Sequence, residues 1–427
     1  RHYERAGNPR EAAHWYQRAA QQARASFLPA EAIAYYEKAL ASLGDSDEDR
    51  ALKILIYQGL GNMYWRQAQR SEAVAAYQAM RDVAAASGDS LAEARACNHL
   101  ARAYRYLGQM HEGMVCAEQA EALARRLGPA GTVDLARAVA VQGWIYHGLG
   151  QPAQAIEPAE RALALAKEAG APREVALALN LLGVAYTGLG DHERGAAYAE
   201  EALELYRSLG NRWGVGIISN NLGENARARG DYATGLRYYE DALAIATETG
   251  NRESAISCFN NIGGARLALG QPEAAEEALR EVLARVGERG WYGLSETYRY
   301  LAAAYLAQGR PEEALAAAQQ ALVLALERGQ QDFCGAAWRM LGRVGAATGQ
   351  PVAPAPGEAP LPAVACFERS AEIFTQTQMT AELAQTQYAW GAALQQSDPE
   401  AAARLQDEAL RQCGALGLPA DVVKIGA

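Results

Sequence analysis

The chain has 427 residues, half of them hydrophobic, with 40 basic against 50 acidic side chains and a formal charge of −10. Such an acidic surface does not invite direct contact with nucleic acid or an anionic membrane, and no apolar run of about 18 residues is present to span a bilayer. Six scattered cysteines (Cys97, Cys116, Cys258, Cys334, Cys366 and Cys413) form no Cys-x-x-Cys pair. That argues against a disulfide framework or a zinc site, and for buried free thiols in a reducing cytosol, so a cytoplasmic protein is expected.

Taken in chain order, the sequence opens Arg1-His2-Tyr3-Glu4-Arg5-Ala6-Gly7, which reads as the interior of a helix without a cap. A fragment of a longer protein is therefore expected. Beyond it, glycine punctuates the chain. Gly108, Gly150, Gly190, Gly230, Gly270, Gly309 and Gly349 are 42, 40, 40, 40, 39 and 40 residues apart. A second series, Gly88, Gly128, Gly170, Gly210, Gly250, Gly290 and Gly329, runs half a period out of step. Segments of about 20 residues rich in Ala, Leu, Glu and Arg lie between, as alternating helices ended by glycine require. Pro152, Pro172, Pro272 and Pro311 follow repeat glycines at helix starts, where proline is tolerated. A period in this range signals a solenoid.

Ten helix pairs are predicted, over 10–43, 50–87, 90–127, 131–169, 172–209, 212–249, 252–289, 292–328, 331–377 and 380–413. The expected fold is a single all-α, right-handed superhelical solenoid. Residues 1–49 and 363–427 are expected to be atypical capping repeats, with regular repeats over 50–349. Two residues inserted near Pro129-Ala130-Gly131 should perturb the superhelix locally. Residues 350–362 hold Pro351, Pro354, Pro356, Pro360 and Pro362 and read as a loop within the ninth pair. Loop closure grows only logarithmically with length, so the insertion costs little.

Within a pair, small and aromatic residues recur at fixed places. Leu182, Gly183 and Tyr186 precede Ala202 and Leu203; Leu60, Gly61 and Tyr64 precede Ala73 and Tyr77; Leu301, Ala302 and Tyr305 precede Ala314 and Ala321. Small residues let two helices approach, and the large ones fill the space beside them. This pattern resembles the tetratricopeptide repeat, with its Leu-Gly-x-x-Tyr signature, in a long 40-residue form. That form is similar to LGN-type adaptors and MalT-like regulators, and Gly210-Asn211-Arg212 and Gly250-Asn251-Arg252-Glu253 resemble the LGN-type inter-repeat turn. The opening heptapeptide followed by Ala12, Tyr16 and Ala19 resembles the start of the sensor repeats in STAND-class signalling ATPases and transcription regulators. In those proteins a nucleotide-binding module precedes the repeats; the resemblance implies that such a module is missing here.

The first helix of each pair should line the concave side. Two residues before the aligned leucine stand Gln58, Asn98, Ala140, Asn180, Asn220, Asn260, Arg299 and Arg339. The chain has 11 asparagines, so four in one column is a pattern, and asparagine is a poor helix former. In the family this position faces the groove. A carboxamide offers donor and acceptor to an extended peptide backbone; the alternative is that these side chains bond neighbouring helices and order the stack. Trp65, Arg102, Arg105, Trp144, His147, Glu224, Arg227 and Arg343 should face the same side. The lining is then basic at both ends and aromatic toward the N-terminus, which suits an acidic or C-terminal-carboxylate peptide.

Catalytic and cofactor motifs are missing: no phosphate-binding loop, nucleophile elbow or His-Glu-x-x-His occurs, and the six histidines lack ligating i, i+4 partners. A non-enzymatic module without cofactor or metal is expected, capturing a protein or peptide in its groove. Two alternatives stay open: a small effector stacking on Trp65 or Trp144, and a passive assembly scaffold.

Overall fold

A computed structural model describes residues 8–26, 28–67, 69–287 and 291–426. The opening heptapeptide and Gly290 lie outside the described residues. The rest is mostly helical, and no helix among the described residues is long and apolar enough to cross a membrane. The chain divides into two compact units, residues 1–210 and 211–427.

The first unit holds α1 (Pro9–Ala25), α2 (Pro29–Ala41), α3 (Asp47–Arg66), α4 (Arg70–Ser87), α5 (Ser90–Tyr106), α6 (Met110–Arg126), α7 (Thr132–Gly148), α8 (Pro152–Glu168), α9 (Pro172–Gly188) and α10 (His192–Ser208). A short 3-10 turn, Gly128–Gly131, precedes α7 at the two-residue insertion. The second unit holds α11 (Arg212–Ala228), α12 (Tyr232–Glu248), α13 (Arg252–Ala268), α14 (Pro272–Arg285), α15 (Leu294–Ala307), α16 (Pro311–Glu327), α17 (Gln331–Thr348), α18 (Ala363–Gln376), α19 (Thr380–Leu394), α20 (Pro399–Ala415) and α21 (Ala420–Gly426). Ten of the expected helix pairs are present, and α21 is an additional helix.

Local chemistry sets these boundaries. Asp89, Asp191, Asn211, Asp231 and Asn251 each cap a helix by accepting from the N–H three residues on, at 3.0–3.1 Å. Gly88 ends α4 at φ 72°, a left-handed conformation that a Cβ would disfavour. Every described member of both glycine series shares that positive φ. Between helices, the repeat glycine admits a ring: a Cβ at Gly223 would lie 2.5 Å from Cε1 of Tyr239, which is fully buried.

Within each unit, helices pack on their neighbours in sequence, and consecutive first helices (α5 and α7, α7 and α9, α15 and α17, α17 and α19) also pack directly on one another. The first helices therefore form the inner rail of each unit, and the column of residues they share is drawn together there. The proline-rich insertion is a pinned loop. Val352 and Leu361 exchange two backbone hydrogen bonds of 2.8 Å, and Gln319 Nε2 donates to Ala353 O at 2.8 Å. At the end of the second unit α21 packs on α19 and α20. A Cβ at Gly230 would meet Val422 Cγ2 at 3.5 Å and Pro419 Cγ at 3.8 Å, so the last turns of this unit touch the loop of its first pair. All six cysteines are buried and free.

Candidate ligand face on the first helices

In the first unit, positions two and five after the aligned leucine lie on one helical face, three residues apart. They bring Trp65 of α3, Arg102 and Arg105 of α5, and Trp144 and His147 of α7 into one strip. Trp65 meets Tyr106 edge-on with ring centroids 5.0 Å apart. The guanidiniums of Arg70 and Arg102 lie 4.0 and 4.7 Å from the Trp65 centroid. Arg105 bridges onward, 4.4 Å from Tyr106 and 5.4 Å from Trp144, and Trp144 meets His147 edge-on at 6.0 Å. Each such cation–π contact contributes about 0.5–2 kcal/mol according to its desolvation. Neither Arg102 nor Arg105 has a carboxylate partner among the described residues; the Tyr77 hydroxyl donates to Asn62 at 2.9 Å. Burial, with Arg105 adding, holds the His147 pKa below its usual value. The strip thus offers aromatic faces and two cations whose charge no acid neutralises.

In the second unit the same face is a field of alternating charge. Arg227 pairs with Glu224 at 2.8 Å, and Glu224 in turn accepts from the Tyr239 hydroxyl at 2.6 Å. Arg299 lies 3.5 Å from Glu296. Arg339, 3% exposed, donates to Glu382 O at 3.0 Å, to its carboxylate at 2.8 Å and to Thr386 Oγ1 at 3.3 Å. Burial alone would raise the Glu382 pKa, but Arg339 and Arg299 overcome it and hold it low. Arg343, one turn beyond Arg339, makes no hydrogen bond or ion pair among the described residues. Burial, reinforced by Arg339 and Arg299, pulls its pKa down to about 10.

The asparagine column makes hydrogen bonds between first helices. Asn260 is fully buried on α13, donates to Glu296 Oε2 at 2.9 Å and accepts from Thr297 Oγ1 at 2.8 Å, both on α15. Asn98 is buried on α5 and donates to the backbone O of Asp134 on α7 at 2.9 Å. Asn220 accepts from Asn261 at 3.1 Å, Gln58 lies 3.4 Å from His99 Nε2, and Asn180 is buried with 4% exposure. Asn98, Asn260 and Arg339 bond the next first helix, the stacking role that the sequence leaves open beside ligand binding. The inner rail is where consecutive repeats come closest, so a polar side chain there meets its neighbour before it meets solvent. Glu224 and Arg227 likewise satisfy each other.

Models of the tetratricopeptide repeat match residues 94–126, 175–209, 214–288 and 294–327. The chain carries tetratricopeptide repeats over these residues. Solved structures agree on the fold. The apo quorum sensor NprR from B. thuringiensis is 13% identical, with a TM-score of 0.58 over 86% of this chain and 99% of that one. The Rap conjugation gene regulator of plasmid pLS20, in complex with the Phr* peptide, is 13% identical, with a TM-score of 0.56 over 77% and 95%. A signal-transduction ATPase with a tetratricopeptide-repeat sensor from Pyrococcus horikoshii is 16% identical, with a TM-score of 0.50; the match covers 70% of this chain and 45% of that protein. A search of the curated proteins finds no match.

Sequence reasoning missed the partners that occupy this tetratricopeptide column. Asp134, Glu174, Glu296, Thr297 and Glu382 were all visible, and a signal existed: an arginine followed by an acid one period later. Arg95 binds Asp134 at 3.2 Å, and Arg137 binds Glu174 in the same way. His99, one residue before Leu100 on α5, is a satisfied polar residue of the same face. It stacks on Tyr77 at 4.7 Å, and with Gln58 Nε2 donating, its Nε2 accepts as a neutral ring. Burial, with Arg102 and Arg137 adding, lowers its pKa to about 3. The folded state then binds fewer protons than the unfolded state, whose histidine titrates near about 6.5. This contribution is complete above that pH and is lost as pH falls, by about 2 kcal/mol at pH about 5. Urea unfolding across this window should show a shallower decline for His99→Gln than for the parent; parallel declines would refute the assignment.

Proposed function

We propose that this chain captures a protein or peptide on the first-helix face of its first unit. The observation that carries the reading is the strip from Trp65 to Trp144. Half-exposed rings stack on backbone and side chains at low entropic cost, while Arg102 and Arg105 wait without a carboxylate partner. The Rap regulator of similar fold is bound to a peptide in its solved structure, which supports a peptide as the ligand. Peptides selected from a displayed random library against the whole chain should be enriched in acidic and aromatic residues. Their affinity should fall at least tenfold on Arg105→Gln with Trp144→Ala. Undiminished binding by that variant would reject the strip as the site.

We further read the chain as the ligand-sensing part of a larger STAND-type regulator, supported by its fold likeness to the archaeal signalling ATPase. Sequencing the gene upstream of Arg1 decides this finer reading: absence of a nucleotide-binding module would end it.

A further inference from the structure

The second unit presents a different problem from the first. Its inner rail places four arginines in one electrostatic field, and three of them have carboxylates: Arg227 with Glu224, Arg299 with Glu296 and Arg339 with Glu382. Arg343 is the exception. It is half-buried, one turn along α17 from Arg339, and Arg339 and Arg299 both repel it. The Nε–H of Arg299 is also buried without an acceptor. A guanidinium drawn out of water is normally paired, because an uncompensated buried charge is destabilising by several kcal/mol. The two deficits have the same sign and the same remedy, a pair of oxygen lone pairs carrying negative charge.

We propose that Arg343 on α17, with Arg299 on the helix α15 packed against it, forms a subsite for one small oxyanion, a carboxylate or phosphate group supplied by a ligand. The planar fork of arginine takes either group through two parallel N–H···O bonds. The surrounding pairs set the specificity: Glu296 and Glu382 neutralise their own arginines, so one oxyanion group suffices and a chain of several such groups is disfavoured. This rests on the reading of the first-helix face as the ligand face, but the site lies in the other unit from the aromatic strip.

The test is thermal melting of the full chain in sodium chloride, inorganic phosphate and sodium acetate at matched ionic strength. The parent should show a saturable rise in Tm with one or both oxyanions, as mass action requires of a ligand that binds only the folded state. Arg343→Met keeps the aliphatic length and removes the charge. It should melt higher than the parent in chloride and weaken the apparent oxyanion affinity at least tenfold. Arg343→Lys, which keeps the charge without the fork, should retain part of the response and covers the case in which Met fails to fold. A response to phosphate alone assigns a phosphoryl-bearing ligand; a response to acetate assigns a carboxylate. No saturable rise in the parent, or an Arg343→Met response equal to the parent's, overturns the subsite. Arg105→Gln with Trp144→Ala should leave this response intact, so failure of the peptide reading and failure of the subsite are told apart.

Discussion

Replacing Asn260 by leucine is expected to destabilise the second unit by about 2–3 kcal/mol, because the substitution keeps the branching of the side chain but removes two buried hydrogen bonds. Asn260 is fully buried, donating to Glu296 and accepting from Thr297, which is itself fully buried. Leucine leaves the Thr297 hydroxyl with Gly293 O at 3.2 Å and strips one partner from Glu296. Urea unfolding followed by circular dichroism reads the loss, and hydrogen exchange should place it in α13 and α15. Asn220→Leu is the internal comparison: Asn220 is half-buried and only accepts, so its cost should be well under that of Asn260. Equal, small costs at both positions would mean the column contributes nothing to repeat stacking.

Gly223→Leu should cost at least as much, about 3 kcal/mol or more, through overpacking. The added Cβ alone would sit 2.5 Å from Tyr239, whose ring is fully buried and whose hydroxyl is held on Glu224 at 2.6 Å. The ring cannot retreat without releasing that bond. Cutting the ring back should therefore rescue the glycine variant: Tyr239→Ala with Gly223→Leu should be more stable than the sum of the single losses by over about 1 kcal/mol, as residues in contact couple. Strict additivity between the two would show that glycine and ring do not share the space.

The same two positions show how much was legible in the sequence. Gly223 stood in a Leu-Gly-x-x pattern whose period fixed the helix pairs, because backbone close approach and left-handed caps leave only glycine as an answer. Turns written in Gly, Asn and Asp are local chemistry, so the capped helix starts could be read from single residues. Asn260 could be placed on the inner rail from its period but not given its partners. Whether a rail residue meets a ligand or its neighbour depends on how closely successive first helices approach, and that distance is a tertiary quantity. Spacing places Trp65, Arg105 and Trp144 on one face, since residues three apart share it, and Tyr106 and Arg105 link their rings. The unmatched charge of Arg343 was invisible until Arg299 and Arg339 were seen to have their own acids.

The account turns on whether the Trp65-to-Trp144 strip is where this protein meets its ligand. The most direct measurement is the affinity of library-selected peptides for the parent and for the Arg105→Gln, Trp144→Ala variant, by fluorescence anisotropy. Both proteins must first give matching unfolding curves. Acidic, aromatic-rich peptides should bind the parent and lose at least tenfold in affinity on the variant. Peptides that bind both proteins equally would contradict it and move the ligand face off the first helices of the first unit.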